Sequence, residues 1–184
     1  MRSGRVVVLN GVGSVGKSST ARALQKITTV PFLHVAMDQF IDMVPARLLD
    51  GEEGLRFEHS EEDGRPSVMV STGLAFDRVM DGMRHAVAAM AARGNNLIVD
   101  DVFWNGEECE YRLLLGEQQV QIVGLFAPLE VIEDRERARS DRMPGLARWQ
   151  YPRVHQGVVY DLCVDMTDTT PAEAATIIQK SLRL

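Results

Sequence analysis

The segment Val6-Val7-Val8-Leu9-Asn10-Gly11-Val12-Gly13-Ser14-Val15-Gly16-Lys17-Ser18 constrains this chain more than any other. Val6 to Leu9 read as a buried strand. Three glycines then turn the chain into a helix over residues 17 to 27, with Ala21, Leu24 and Ile27 at helical spacing. Such a helix start offers free backbone N–H groups and the positive end of a dipole to an anion. Two fingerprints overlap here. As G-x-x-x-x-G-K-[ST], the residues are Gly11, Gly16, Lys17 and Ser18, a P-loop. In that reading Gly11, Val12, Gly13, Ser14, Val15, Gly16, Lys17, Ser18 and Ser19 surround nucleotide phosphates. As G-x-G-x-x-G, they are Gly11, Gly13 and Gly16, and Asp38 follows about where a ribose-binding acid should stand. The first reading predicts phosphoryl transfer and the second redox chemistry. The bland alternative is a glycine-rich turn with no ligand. A lysine ammonium and a hydroxyl at positions 17 and 18 serve phosphates and Mg²⁺, whereas a dinucleotide-binding helix has no use for Lys17.

At 184 residues the chain is expected to be one domain, which weighs against a dehydrogenase with a separate substrate domain. A net charge of -6 argues against a nucleic-acid or acidic-membrane surface. Cys109 and Cys163, the only two cysteines, resemble neither a zinc site nor a disulfide framework. Each reads as a small apolar filler, and a reducing cytosol is the expected compartment. Met1-Arg2-Ser3-Gly4 leaves no room for a signal peptide before the first strand. No apolar run approaches a membrane span.

Strands and helices alternate along the chain. Phe32 to Met37 reads as a second strand ending at Asp38, followed by a short helix over 39–50 that Pro45 interrupts. Residues 50–71 form an acidic excursion, with a hairpin turning at Asp63-Gly64 between Leu55–Phe57 and Val68–Val70. A long helix over 72–93 carries Phe76, Val79, Met80, Met83, Val87 and Met90 on one stripe, and Gly94 stops it. Leu97 to Asp101 is the third strand, and Glu107 to Leu115 a helix. Val120 to Phe126 is the fourth strand and Tyr160 to Val164 the fifth. Thr170-Pro171-Ala172-Glu173 opens the last helix. The predicted fold class is α/β, a single-domain three-layer sandwich with a five-stranded parallel sheet of the P-loop nucleoside triphosphate hydrolase/kinase type. Its ligands would bind at the carboxyl ends of the strands.

Three clusters carry the chemistry. An apolar strand running into Asp100-Asp101 suits a Mg²⁺ site beside the P-loop hydroxyl. Asp100 with Ser18 is the metal-side candidate, and Asp101 is assigned to the substrate crevice; the alternative is an Asp that merely caps the next loop. Arg135, Arg139 and Arg142 are spaced i, i+4 and i+7, so one helix would align them on a face that neutralises a transferring phosphoryl group. Met143-Pro144-Gly145 would then hinge a lid over about 133–150. The alternative is a surface helix laced by pairs such as Glu133 with Arg137. Asp38 across the crevice would accept the proton of an attacking hydroxyl, against the competing reading of a helix cap. Phe40, Met43, Val102, Phe103 and Trp104 are candidates for an apolar acceptor pocket, or are ordinary core. A GTPase is disfavoured, because no Asn-Lys-x-Asp run follows a later strand.

The chain resembles the chloramphenicol phosphotransferases, P-loop enzymes related in fold to shikimate and adenylate kinases. The resemblance spans nearly the whole length. It rests on Leu9-Asn10-Gly11 through Gly16-Lys17-Ser18, on Asp38 with Ile41 and Pro45, and on Asp100-Asp101-Val102-Phe103. It continues through Arg135, Arg139, Asp141 and Arg142, then Val154-His155-Gln156-Gly157 with Tyr160-Asp161. It implies ATP and Mg²⁺ as cofactors, with the P-loop and lid arginines holding ATP. It further implies that Asp38 is the base activating a hydroxyl of a chloramphenicol-like small molecule. His155 also matches, with a structural hydrogen bond as its default role. The loop here has Val12, Gly13 and Val15 where that family is richer in serine, and the 50–71 excursion is longer and more acidic. A metabolic kinase with another acceptor is the alternative within the same fold. Nucleotide titrations of Lys17→Ala separate the two fingerprints: ATP binding is lost if the P-loop reading holds, and NAD binding is nearly unchanged if the dinucleotide reading does.

Overall fold

Val6, Val7, Val8 and Leu9 are all fully buried although successive strand side chains point to opposite faces, so their strand must be covered on both sides. In the computed structural model, which describes residues 3–49, 51–116, 119–140 and 142–184, that strand is the centre of a five-stranded parallel sheet. Met1, Arg2, Asp50 and Asp141, used in the sequence reading, lie outside the described residues. In chain order the first elements are β1 (Val6–Asn10), α1 (Lys17–Ile27), β2 (Phe32–Ala36), α2 (Met37–Ile41), β3 (Leu55–Glu62), β4 (Arg65–Thr72) and α3 (Leu74–Ala92). Then come β5 (Asn96–Asp101), α4 (Glu107–Leu115), β6 (Val120–Phe126), α5 (Leu129–Arg137), α6 (Leu146–Gln150), β7 (Leu162–Asp165) and α7 (Pro171–Leu182).

The sheet order is β2-β5-β1-β6-β7. Val7, Leu9, Ile98 and Val123 pack with Leu24, Ile132 and Ile178 on one face. Val6, Val8, Leu97 and Ile122 pack with Phe76, Met83 and Tyr111 on the other. Register brings Leu9 opposite Asp100, Asn10 opposite Asp101 and Ala36 opposite Asp100, so the loops after β1, β2 and β5 leave the sheet at one edge.

Several boundaries differ from the expectation. β2 ends at Ala36, and Asp38 lies in the first turn of α2, not at a strand end. The expected 39–50 helix reduces to α2 and a 3₁₀ turn over Ala46–Leu48, because Pro45 cannot donate to a continuing helix. β3 and β4 pair over eight residues each, turning at Asp63 (φ 52°) and Gly64 (φ 71°). Their distal halves are exposed and charged, so no apolar alternation announced them. α5 stops at Arg137, which leaves Arg139 and Arg142 beyond it and breaks the single arginine face. Cys109 and Cys163 are exposed, not core fillers. Among the described residues no helix is long and apolar enough to cross a membrane.

The hairpin β3–β4 is pinned to α6. Val68 N–H donates to Gly145 O at 3.1 Å. Gly145 has φ 97°, and a Cβ there would lie 2.7 Å from the Pro66 carbonyl. Buried Glu136 caps α6, accepting from the Gly145 and Ala147 N–H groups at 2.8 and 2.9 Å. Buried Glu133 receives Arg148 of α6 at 2.6 Å and Arg65 of β4 at 3.3 Å. Glu136→Ala would strand two buried N–H groups, and an expected loss of about 3 kcal/mol is measurable by urea unfolding.

Candidate active site

The turn from β1 into α1 leaves a cradle at the sheet edge. Gly11 packs so closely on β6 that a Cβ would lie 2.7 Å from Leu125 O. Ser14 (φ 65°) and Gly16 (φ 112°) take left-handed backbone conformations that fold the loop back on itself. α1 starts with no side-chain cap and no acid in its first turn, so its leading N–H groups remain for an anion. The buried Ser14 Oγ has no partner among the described residues either. Val12 and Val15 send their side chains into the core, which leaves only their backbone for a phosphate.

Lys17 is buried and curls over the loop, donating to Gly11 O at 2.8 Å and Val12 O at 3.3 Å. Its Nζ lies 3.9 Å from Asp100 Oδ1. Burial pushes the ammonium below its ordinary pKa, while Asp100 and Asp38 oppose that shift. Ser18 Oγ donates to Asp100 Oδ2, joining the hydroxyl and the carboxylate proposed for a metal.

These groups open into a cleft of about 520 Å³. Its polar end holds Lys17, Ser18, Asp100, Asp38, Arg139 and Arg142, with Ser19 beside them. Asp38, 62% exposed, faces Arg142 Nη2 at 3.5 Å. The other end is apolar: Met37, Ile41, Val102 and Trp104 meet Leu55, Phe57 and Val70 of the hairpin. The acidic excursion therefore turns an apolar face to the cleft and its charges to solvent.

Five expected site residues lie elsewhere. Asp101 is 2% exposed and bonds Tyr111 Oη at 2.9 Å and the Val102 N–H at 2.8 Å; burial raises its pKa to about 6. Phe103 is core and packs on Tyr111, with ring centroids 5.9 Å apart. Phe40 packs against the core around α3, and Met43 is 71% exposed; neither lines the cleft. Arg135 is also absent from the lining, because its Nη2 donates to Met166 O at 2.8 Å and Thr167 O at 3.1 Å. Val102 and Trp104 do line it.

Sequence reasoning missed Gln150, whose Oε1 accepts from the Gly13 N–H at 2.7 Å across 137 residues. No local spacing signals such a pair. It also missed a network behind the loop. Asn10 Oδ1 accepts from the Phe103 N–H at 2.9 Å, while its Nδ2 donates to Val154 O at 2.8 Å and Tyr160 Oη at 2.6 Å. Tyr160 then donates to His155 Nδ1 at 2.6 Å, so that nitrogen is an acceptor and the ring is neutral. His155 stacks on Phe126 at 3.9 Å, and burial followed by the Lys17 charge lowers its pKa to about 4. This is the structural hydrogen bond that His155 was assigned by default.

A family model of chloramphenicol phosphotransferase-like proteins matches residues 4–183. The chain belongs to this family. A Mycobacterium tuberculosis (strain H37Rv) protein, whose name places it provisionally among the O-phosphotransferases, is 32% identical over 187 residues, covering 98% of this chain and 83% of its own. Among solved structures, the chain resembles the M. tuberculosis APS kinase in complex with AMPPNP and APS (TM-score 0.69, 17% identity, 100% of each chain covered). It also resembles the Deinococcus radiodurans tunicamycin resistance protein (TM-score 0.66, 16% identity, 98% and 96% covered). A third is the Bacteroides thetaiotaomicron shikimate kinase (TM-score 0.58, 17% identity, 98% and 99% covered). At these identities the structural likeness concerns the fold alone. The protein is a phosphotransferase with the P-loop kinase fold.

His155 gives a pH dependence. The unfolded chain protonates this imidazole near 6.5 and the folded chain near 4, so stability present above 6.5 is lost as pH falls through that window. In His155→Gln the amide oxygen still accepts from Tyr160 and nothing titrates. Its melting temperature relative to wild type should rise from pH 7.5 to pH 4.5.

Proposed function

We propose that the protein transfers the γ-phosphoryl group of ATP to a hydroxyl of a small molecule with an apolar or aromatic body. One observation carries the reading: Lys17, the Ser18–Asp100 pair and Asp38 share the polar end of a cleft whose opposite wall is the apolar face of a hairpin. Backbone N–H groups of the 11–18 loop and Lys17 would hold the phosphates. Ser18 and Asp100 fit Mg²⁺, since both offer oxygen donors of the kind a hard cation takes. The ion would neutralise charge on the phosphate oxygens. Arg135, sequestered by backbone carbonyls, leaves this role to Arg139 and Arg142.

In the chemical step the acceptor oxygen forms its bond to the γ-phosphorus as the bond to the β–γ bridging oxygen breaks. Asp38 takes the hydroxyl proton, and ADP carries away the electron pair. Asp38 meets the requirement of access, because it is exposed to the cleft and not locked in the core. Arg142, now against Asp38, would turn to the transferring group once the triphosphate supplies a stronger anion. The dinucleotide reading loses its support, since Lys17 and Ser18 are the groups that face the cleft.

Trp104 and Phe57 favour an aromatic acceptor, and the family makes chloramphenicol the first to test. Mass spectrometry of chloramphenicol with ATP and Mg²⁺ should show a product 80 Da heavier, as one phosphoryl replaces one proton (about 80 Da). Asp38→Asn should lower kcat about 10²–10⁴-fold with nucleotide affinity nearly unchanged. ATP binding without product would overturn the chloramphenicol assignment and direct the search to other hydroxyl compounds. Absence of ATP binding would overturn the kinase reading.

A further inference from the structure

Gln150 ends α6, is 5% exposed, and reaches the P-loop from the lid side. Its bond from the Gly13 N–H fixes the amide orientation, because only the carbonyl oxygen can accept it. The NH₂ group of the same amide therefore points away from the loop. No acceptor among the described residues meets it, and Gln150 lines the cleft together with Lys17, Asp38 and Arg142. A Cβ at Gly13 would stand 3.2 Å from Gln150 Oε1, so the glycine is matched to this close approach. The amide nitrogen is not sealed from solvent, so an acceptor that enters the cleft can replace water as its partner. The group that Lys17 reaches toward in a P-loop is the outer part of the triphosphate.

We propose that Gln150 is a triphosphate-recognition residue: its Oε1 fixes the loop at Gly13 while its Nε2 donates to an oxygen of the γ-phosphoryl group. The inference rests on the nucleotide reading given above. α6 is also the element that Glu133 and Gly145 tie to the hairpin, so the contact reports the presence of a γ-phosphate to the acceptor wall. A residue serving only to brace Gly13 would treat ADP and ATP alike; a donor to the γ-phosphoryl group would not.

Calorimetric titration of ADP and of β,γ-imido-ATP, each with Mg²⁺, separates the two roles. Two variants are compared with wild type. Gln150→Met removes both the acceptor and the donor at similar length, while Gln150→Glu retains an acceptor for Gly13 and removes the donor. The expected result is that both variants lose roughly tenfold or more of the preference for the triphosphate analogue. Gln150→Glu, which keeps an acceptor for Gly13, should hold ADP affinity within about twofold of wild type, while Gln150→Met, which loses that brace as well, should weaken both nucleotides and the triphosphate analogue more. If Gln150→Met weakens both nucleotides equally and Gln150→Glu behaves as wild type, Gln150 is a brace and the inference is wrong. An unchanged preference in both variants also overturns it while leaving the kinase reading intact. Wild type that binds neither nucleotide overturns that reading, and this inference with it.

Discussion

An ammonium ion taken out of water needs oxygen around it, and the architecture of this site follows from giving Lys17 that shell. The carbonyls of Gly11 and Val12 supply two neighbours, which requires the loop to curl back over the first turn of α1. Asp100 supplies the opposing charge, which requires β5 to lie directly beside β1 in the register that sets Leu9 against Asp100. A buried cation so arranged is held by weak substitutes for a better anion. The uncapped start of α1 and the unpartnered Ser14 hydroxyl point to the same deficit. The cradle is thus electrostatically incomplete by itself, in a chain whose net charge is otherwise negative.

The second level of organisation is mechanical. The P-loop, the short helix α6 and the hairpin are distant in sequence yet joined by a chain of polar contacts. Gln150 holds Gly13, Glu136 holds the start of α6, Glu133 clasps Arg148 and Arg65, and Gly145 accepts from Val68. Buried carboxylates of this kind are tolerated only when fully paired, so the contacts are cooperative. A change at one end is transmitted along a short, stiff route.

What the sequence made legible follows from the range of the interactions involved. The P-loop, the strand of valines behind it and the Asp100 strand end depend on neighbouring residues, and all three lie where the spacing placed them. The methionine stripe on α3 and the Thr170–Glu173 cap on α7 are equally local and equally readable. Asp101 was misplaced because strand alternation sends adjacent carboxylates to opposite faces, and nothing in the dipeptide states which face is the cleft. The arginine face failed for a related reason. The i, i+4, i+7 pattern presumes a continuous helix, and α5 ends before Arg139. Phe103 and Met43 changed places with the hairpin: one is core, the other is exposed, and the apolar end of the cleft is completed by Leu55, Phe57 and Val70 of the acidic excursion. Gln150 lay out of reach, because its partner is 137 residues away.

The hairpin belongs to no strand of the main sheet. Its strands pair with each other, Val68 is tied to Gly145 at the start of α6, and Leu55 and Val70 rest on the core. Half-buried Phe57 can therefore be exchanged without disturbing the register that seats Lys17 against Asp100, whereas Leu55 and Val70 share the core with Val6 and Val8. On the proposed function, such a chain carries its chemistry and its taste in largely separate parts, and selection can rewrite the second while the first stands still.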